Sequence, residues 1–340
     1  MSEPLIAKIS LKKLKSNALK VKSLLKNKVK FCAVVKSDAY GHGIVEVASA
    51  LYSICDYFAV SLLSECESLR ISGIDKPILL LSPITESTIE RLILKDITLS
   101  VSSVKDLLLI YKTSRKLDKV VKVHFAINTG MNRLGFDSEY SINKAINIIK
   151  NCKNIELEGA YSHFGNVKDS AYTENSFKTF KKLTKSIVEF NKKAIFHIAS
   201  SEGLLANPKY QLNMVRIGLL LYGYSQTYTS KIEVEPIMQV YAKNLLSRTN
   251  VKNKHLMYGD KLSTEDNVSV VRLGYADGFF RSNGNNFINN LCMDLSAVNF
   301  SKNPYVLVLS NAKKLSEELN TIPYEILVSV TKRAIREYFY

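Results

Sequence analysis

Lys36 stands at the junction between an apolar run and a polar loop. The run at residues 31–35 is short and partly β-branched, which predicts a buried strand, whereas residues 37–43 predict a loop. At the end of a parallel strand, burial would lower the pKa of this lysine and free its amine for covalent chemistry. Taken alone, in a chain with so many lysines, a solvent-exposed lysine would be the simpler interpretation.

Four other polar residues occupy comparable positions. Arg133 lies in the loop Asn-Thr-Gly-Met-Asn-Arg-Leu-Gly after an apolar run, and His163, His197 and Arg216 lie at the ends of three others. Each has a simpler explanation by itself, since a histidine can be a core residue and an arginine a surface charge. Five such residues at strand ends point instead to one shared rim, where barrel enzymes carry their active sites.

The elements that must position these residues follow a regular alternation. Segments of helical periodicity separate eight short apolar runs, at 31–35, 57–60, 78–81, 97–101, 121–126, 155–161, 194–198 and 213–216. One of these segments, residues 176–190, predicts a single helix. Eight strands alternating with helices predict an α/β fold with a (β/α)8 TIM-type barrel. The alternative is a doubly wound open sheet, but its usual GxGxxG turn is absent.

The pattern changes after about residue 228. Long strand-like stretches without intervening helices appear at 236–246, 268–273 and 305–309. We therefore expect a barrel domain at 1–228 and a mostly-β domain at 229–340. A strand-like segment at about 5–9 precedes the barrel and could pair with the second domain.

Composition narrows the class of protein. The chain has 340 residues, of which 46% are hydrophobic and 23% charged, with a net charge of +16. Its lysines recur at solvent-facing spacing, so we expect no nucleic-acid partner despite the charge. The five cysteines have no metal-binding or redox spacing, which predicts reduced thiols and no metal. With no signal-peptide core and no membrane span in the sequence, we expect a soluble cytoplasmic enzyme.

Residues 33–43 read Ala-Val-Val-Lys-Ser-Asp-Ala-Tyr-Gly-His-Gly. This segment resembles the pyridoxal 5'-phosphate (PLP) attachment segment of the alanine racemase family, in which a lysine, two variable residues and Ala-Tyr-Gly-His-Gly follow a strand. The resemblance implies that PLP is attached to Lys36 and that Tyr40 contacts it. The polar segments named above are similar to this family in the same order.

The resemblance also assigns cofactor contacts. The phosphate would be held by Ser201, the backbone amides of Gly218 and Leu219, and Tyr324. Backbone N–H groups and a hydroxyl are suited to binding such an anion.

At the ring, the resemblance places His163 beside PLP and Arg216 opposite the pyridine nitrogen, with His197 as the partner of Arg216. A guanidinium only donates hydrogen bonds, so Arg216 would keep that nitrogen unprotonated and weaken the ring as an electron sink. Arg133 would contact the phenolic oxygen of PLP and the substrate carboxylate.

Residues beyond 228 would determine which reaction is catalysed. By resemblance, Tyr275 in Gly-Tyr-Ala-Asp-Gly is a second catalytic base, and the Met293 backbone in Cys-Met-Asp meets the substrate carboxylate. Both would act in the active site of the other subunit of a head-to-tail homodimer. Two bases on opposite faces of Cα suit racemisation, with Lys36 serving D-alanine and Tyr275 serving L-alanine. His163 is the candidate that would stabilise the Tyr275 phenolate.

Three departures from the family pattern stand out. Ala126 replaces a lysine that many members carry as a carbamate beside the loop arginine, so Arg133 must be oriented differently. Ser200-Ser201 replaces the usual Asn-Ser. Ten residues separate Arg281 from Cys292, which is shorter than usual, and Asn283-Gly284 predicts a tight turn there.

The resulting prediction is a PLP-dependent alanine racemase that supplies D-alanine for peptidoglycan. Its partners would be a small amino acid and a second copy of the chain, without nucleic acid or membrane. Three alternatives remain open at this point: a racemase of serine or another small amino acid, a non-catalytic PLP-binding protein, and a barrel-fold decarboxylase. The second domain with Tyr275 opposes the non-catalytic reading, and the absence of a Gly-rich phosphate loop opposes the decarboxylase.

Overall fold

Two β-sheets organise the chain in the computed structural model, which describes residues 5–258, 262–281 and 287–340. The first is an eight-stranded parallel sheet, and the second is a six-stranded mixed sheet. The predicted turn at Asn283-Gly284 lies outside the described residues.

The parallel sheet forms the predicted barrel. Its strands run in the order β8-β7-β6-β5-β4-β3-β2-β9, and two backbone hydrogen bonds link the ends of that order: Asn213 N–H to Phe196 O and Arg216 N–H to Ala199 O, each 3.0 Å. Both faces of these strands are covered, which explains why they appear in the sequence as continuous apolar runs. The predicted α/β barrel is confirmed, with the strands β2 (Lys30–Val34), β3 (Tyr57–Val60), β4 (Ile78–Leu80), β5 (Thr98–Val101), β6 (Val121–Ala126), β7 (Ile155–Tyr161), β8 (Ile195–His197) and β9 (Met214–Ile217).

Helices connect the strands and cover the outside of the barrel. They are α1 (Leu11–Ser23), the short helical turn α2 (Lys36–Tyr40), α3 (Ile44–Leu51), α4 (Leu63–Ile71), α5 (Ile89–Leu94), α6 (Val104–Leu117), α7 (Glu139–Lys150), α8 (Ser170–Leu183), α9 (Lys185–Phe190) and α10 (Ser201–Ala206). Short 3₁₀ turns occur at Pro208–Gln211, Thr229–Lys231 and Tyr275–Asp277.

The prediction of one helix over residues 176–190 is wrong in its extent. The helix α8 begins earlier, because the Asp169 side chain caps it by accepting from Tyr172 N–H. It ends before Thr184, whose hydroxyl donates to Phe180 O at 2.8 Å. A side chain that bonds to the preceding turn in this way bends a helix, and α9 starts after the break.

The second sheet combines both ends of the chain. The strand β1 (Leu5–Ser10) pairs antiparallel with β10 (Met238–Arg248), Leu5 opposite Ala242, and parallel with β14 (Ile335–Phe339), Ile6 opposite Ile335. The remaining strands are β11 (Val268–Val271), β12 (Ser296–Asn299) and β13 (Tyr305–Leu309), and two helices follow, α11 (Ala312–Glu318) and α12 (Pro323–Ser329). This sheet and its two helices therefore bring the C-terminal segment next to the barrel rim.

No helix in the described part of the chain is long and apolar enough to cross a membrane.

Candidate functional site

A cavity of about 800 Å³ opens at the carboxyl ends of the barrel strands. It gathers most of the predicted site residues, namely Lys36, Tyr40, Arg133, His163, Ser201, Arg216, Gly218 and Tyr324. His197 and Leu219 are fully buried, with His197 in direct contact with Arg216 and Leu219 next to Gly218 in the chain. The rim predicted from strand ends is therefore a single concave site.

Lys36 begins a helical turn that is left-handed. The four residues after it, Ser37 to Tyr40, all have φ between 52° and 55°, which is the left-handed region. That conformation costs roughly 1–2 kcal/mol per non-glycine residue, so surrounding contacts must hold it. One such contact comes from β14, where Arg336 lies 2.6 Å from the Asp38 carboxylate and donates to Gly41 O at 2.8 Å.

The environment of Lys36 favours its free amine. Its side chain is half-buried, and burial lowers its pKa from the ordinary value. The positive charge of Arg133 lowers that pKa further, while the Glu65 carboxylate acts in the opposite direction. An amine with a lowered pKa can attack a carbonyl group and can later exchange a proton with a bound molecule.

One end of the cavity is suited to a phosphate. Ser201 Oγ accepts hydrogen bonds from Gly218 N–H at 3.2 Å and from Leu220 N–H at 3.3 Å. A Cβ added to Gly218 would lie 2.5 Å from the Tyr40 hydroxyl, so a glycine is needed for Tyr40 to approach this closely. The Tyr324 ring lies 5.4 Å from that of Tyr40. Leu220 was not identified from the sequence, because its role depends on a backbone amide rather than a side chain.

Arg216 is held rigidly at the other side of the cavity. Its Nη1 lies 2.6 Å from His197 Nδ1 and donates to His197 O at 3.1 Å, while Nη2 donates to Ser162 O at 2.6 Å. The guanidinium also lies 5.3 Å from the centre of the Tyr161 ring. Five fixed N–H donors on a side chain that does not lose its proton make this a permanent positive group.

Behind Arg216, two residues that the sequence did not reveal extend the network. His197 Nε2 lies 2.8 Å from His124 Nδ1, and His124 Nε2 lies 3.1 Å from Glu158 Oε2. Because Arg216 can only donate, His197 Nδ1 accepts, so its proton is on Nε2 and points to His124. His124 Nδ1 must then accept, and its Nε2–H donates to the carboxylate of Glu158.

The pKa shifts of His197 and Glu158 agree with these hydrogen-bond directions. Burial, with the charge of Arg216 second, holds the pKa of His197 well below its usual range. Burial would raise the pKa of Glu158, but the hydrogen bond from His124 and the charge of Lys122 outweigh it and bring the pKa to about 2. His197 is therefore neutral and Glu158 ionised near neutral pH.

His163 faces the cavity without a positive charge of its own. Burial, Arg216, Arg133 and Lys36, in that order, lower its pKa to about 3. A neutral imidazole among three cationic side chains can pack against an aromatic ring or accept a hydrogen bond without adding repulsion.

The Arg133 loop is fixed through its backbone. Asn128 Oδ1 accepts from Gly130 N–H at 3.2 Å and Asn132 N–H at 3.0 Å, and Phe136 N–H donates to Ala126 O at 2.9 Å. Among the described residues, no hydrogen bond or ion pair holds the Arg133 guanidinium itself. Asn128 thus shapes the loop despite the alanine at position 126, and leaves a cation facing the cavity.

Tyr275 and Met293 do not line this cavity. They lie together near the second sheet, where Tyr275 N–H donates to Cys292 O at 3.1 Å and Ala276 N–H donates to Met293 O at 3.0 Å. Their exposed fractions are 38% and 55%, respectively. The two segments are thus brought together on the surface of one chain but apart from its Lys36.

The electrostatics of the cavity are strongly positive. Lys36, Arg133 and Arg216 all line it, and the carboxylate that lines it, Glu325, is exposed at the side of α12. Such a site favours ligands with anionic groups, including a phosphate ester and a carboxylate.

Comparisons with known proteins agree with this architecture. The family model "Alanine racemase, N-terminal domain" matches residues 9–226, and "Alanine racemase, C-terminal domain" matches residues 237–338. An alanine racemase of Methanococcus maripaludis is 33% identical, with 100% of both chains covered. One of Clostridium tetani is 32% identical over 98% of this chain and 95% of the relative. A solved alanine racemase structure of Clostridium difficile 630 has a TM-score of 0.93 at 31% identity, covering 100% of this chain and 96% of that one.

Proposed function

The chain belongs to the alanine racemase family, and we propose that it interconverts L- and D-alanine in the cavity around Lys36 with PLP attached to that lysine. The family is PLP-dependent, and its known role is to supply D-alanine for peptidoglycan. The observation that carries the proposal is a lysine of lowered pKa in a cationic cavity, with a buried arginine in the same cavity. A cytoplasmic location belongs to the same proposal.

The residues present fit PLP. Ser201, Gly218 and the amides beside it would hold the phosphate, with Tyr40 and Tyr324 closing that end. Arg216 would face the ring nitrogen and keep it unprotonated, because its N–H groups only donate. His163 would lie beside the ring and Arg133 would bind the substrate carboxylate. When bound, PLP supplies the electron sink that makes the Cα–H bond of an attached amino acid acidic.

Two bases on opposite faces of Cα would then move the proton. We assign Lys36 Nζ to D-alanine and the hydroxyl of Tyr275 of the partner subunit to L-alanine. The position of Tyr275 on the surface of its own chain, away from Lys36, supports a homodimer whose active sites are shared. The Met293 backbone would reach the substrate carboxylate in the same way. We also propose a domain boundary near residues 228 and 229.

The test is proton exchange at Cα. The purified protein with PLP is incubated in D₂O with L-alanine, L-serine or L-lysine, and deuteration and the enantiomer ratio are followed. We expect the fastest exchange and racemisation with alanine. Faster racemisation of serine would reassign the substrate, and no exchange with any of the three would favour a non-catalytic PLP-binding protein.

A further inference from the structure

We propose that Glu65, on α4, is a positioning residue that fixes the direction of Lys36. This inference rests on the proposed function, because it concerns the lysine that would carry PLP. Glu65 does not line the cavity, and nothing in the sequence motif around Lys36 points to it. Its side chain is buried, with 8% exposed.

The Glu65 carboxylate joins two loops at the barrel rim. Its Oε1 accepts from Ser37 N–H at 2.5 Å, and its Oε2 accepts from Ser61 N–H at 2.8 Å and from Leu62 N–H at 3.0 Å. Ser37 directly follows Lys36, whereas Ser61 and Leu62 follow the neighbouring strand β3. One buried carboxylate thus holds three backbone amides from the ends of two adjacent strands.

Helix capping explains only half of this arrangement. Glu65 is the third residue of α4, and a glutamate there commonly bonds the backbone N–H just before the helix, here that of Leu62. Glu65 Oε1, which accepts from Ser37 N–H, takes no part in capping the helix. It holds the first amide of the left-handed turn, which places the Lys36 backbone and therefore its side chain.

The charge of Glu65 matters as well as its geometry. Burial and Arg133 both favour the neutral amine of Lys36, and Glu65 is the group that opposes them. Glu65 therefore favours the protonated amine, against burial and Arg133, before PLP is attached. The neighbouring Glu67 offers a matched control, since it lies on the same helix but pairs with Arg91 at 2.6 Å.

Glu65→Gln tests both the hydrogen bonds and the charge of Glu65. A glutamine has one acceptor oxygen, so it cannot serve the amides on both sides, and it has no charge. We expect kcat for D-alanine to fall about tenfold or more while KM changes by less than about threefold, because a misplaced Lys36 affects proton transfer more than substrate binding. Hydrogen exchange at the Ser37 amide should accelerate. Glu67→Gln should change neither.

A second readout does not depend on turnover. The rate at which PLP attaches to the apoprotein is measured as a function of pH. The attached product is trapped with borohydride, and mass spectrometry verifies that it lies at Lys36. Attachment needs the neutral amine, so its pH midpoint should move lower in Glu65→Gln. Glu65→Asp keeps the charge with a shorter reach, so it should keep the midpoint and still lose kcat.

The outcomes separate the two proposals. A wild-type protein that never attaches PLP at Lys36 would contradict the proposed function itself. Suppose that the wild type attaches PLP, but Glu65→Gln has the kcat of the wild type, the same pH midpoint of attachment and the same hydrogen-exchange protection at the Ser37 amide. The role proposed for Glu65 is then wrong. A lower melting temperature with unchanged kcat and midpoint in the folded fraction would show a purely structural role and also overturn it.

Discussion

Arg216 Nη1 lies 2.6 Å from His197 Nδ1, and both side chains are buried. This contact sets the direction of every hydrogen bond behind the cavity, through His124 to the carboxylate of Glu158. The arginine that would face the ring nitrogen is thus held by a chain of neutral donors and acceptors that ends in one fixed negative charge. That charge can be tested without reference to catalysis.

The first prediction concerns acid stability. The pKa of Glu158 is about 2 in the fold, below its ordinary value of 4.5. A lowered carboxyl pKa stabilises the fold above the ordinary value, and this contribution is lost as pH falls from about 4.5 towards 2. Its size is at most about 3 kcal/mol. Urea unfolding of wild type and Glu158→Gln across this range should show a steeper loss in the wild type. Parallel pH profiles would contradict the assigned network.

Arg216→Lys tests whether the two-pronged hydrogen bonding of the Arg216 guanidinium matters. A lysine ammonium cannot bond His197 and Ser162 O in the way that Nη1 and Nη2 do, so the positive group would no longer be fixed opposite the ring. We expect PLP still to attach at Lys36 but kcat to fall about tenfold or more. Arg115→Lys, an exposed site on α6, is the control. Equal kcat in the two variants would show that rigid placement of Arg216 is unimportant.

Much of the barrel could be predicted from the sequence. Parallel strands buried on both faces leave short apolar runs, and the side chains that follow them must share one rim. The strand-end positions of Lys36, His163 and Arg216 therefore predict that the three side chains share one cavity.

The supporting residues could not be predicted, for physical reasons. His124 contacts His197 73 positions later, and Glu65 contacts Ser37 28 positions earlier, so neither spacing leaves a local pattern. The left-handed turn is also hidden, because the chain there has serine, aspartate, alanine and tyrosine rather than glycine. Tertiary contacts impose that conformation against local preference.

Mixed dimers test whether active sites are shared. Lys36→Ala and Tyr275→Phe should each be inactive alone. If each site combines Lys36 of one subunit with Tyr275 of the other, a mixed dimer regains one intact site. Equal mixing after subunit exchange should then restore about a quarter of wild-type activity, since about half of the dimers are mixed.

The readout is racemase activity of the mixture against each variant alone, with subunit exchange verified by native mass spectrometry. Lys36→Ala mixed with Tyr140→Phe, an exposed tyrosine on α7, is the control, because every site with Lys36 then has an intact Tyr275. No recovery in verified mixed dimers of the first pair would place both bases in the same chain.

Tyr275→Phe in D₂O tests the division of labour between the two bases most directly. Lys36 alone should exchange the Cα proton of D-alanine for deuterium while the product stays D-alanine. L-alanine should remain undeuterated, and racemisation should fall by about 10² or more. PLP attachment at Lys36 should match that of Tyr140→Phe, measured in parallel. Full racemisation by Tyr275→Phe, or equal deuteration of both enantiomers, would contradict the two-base account.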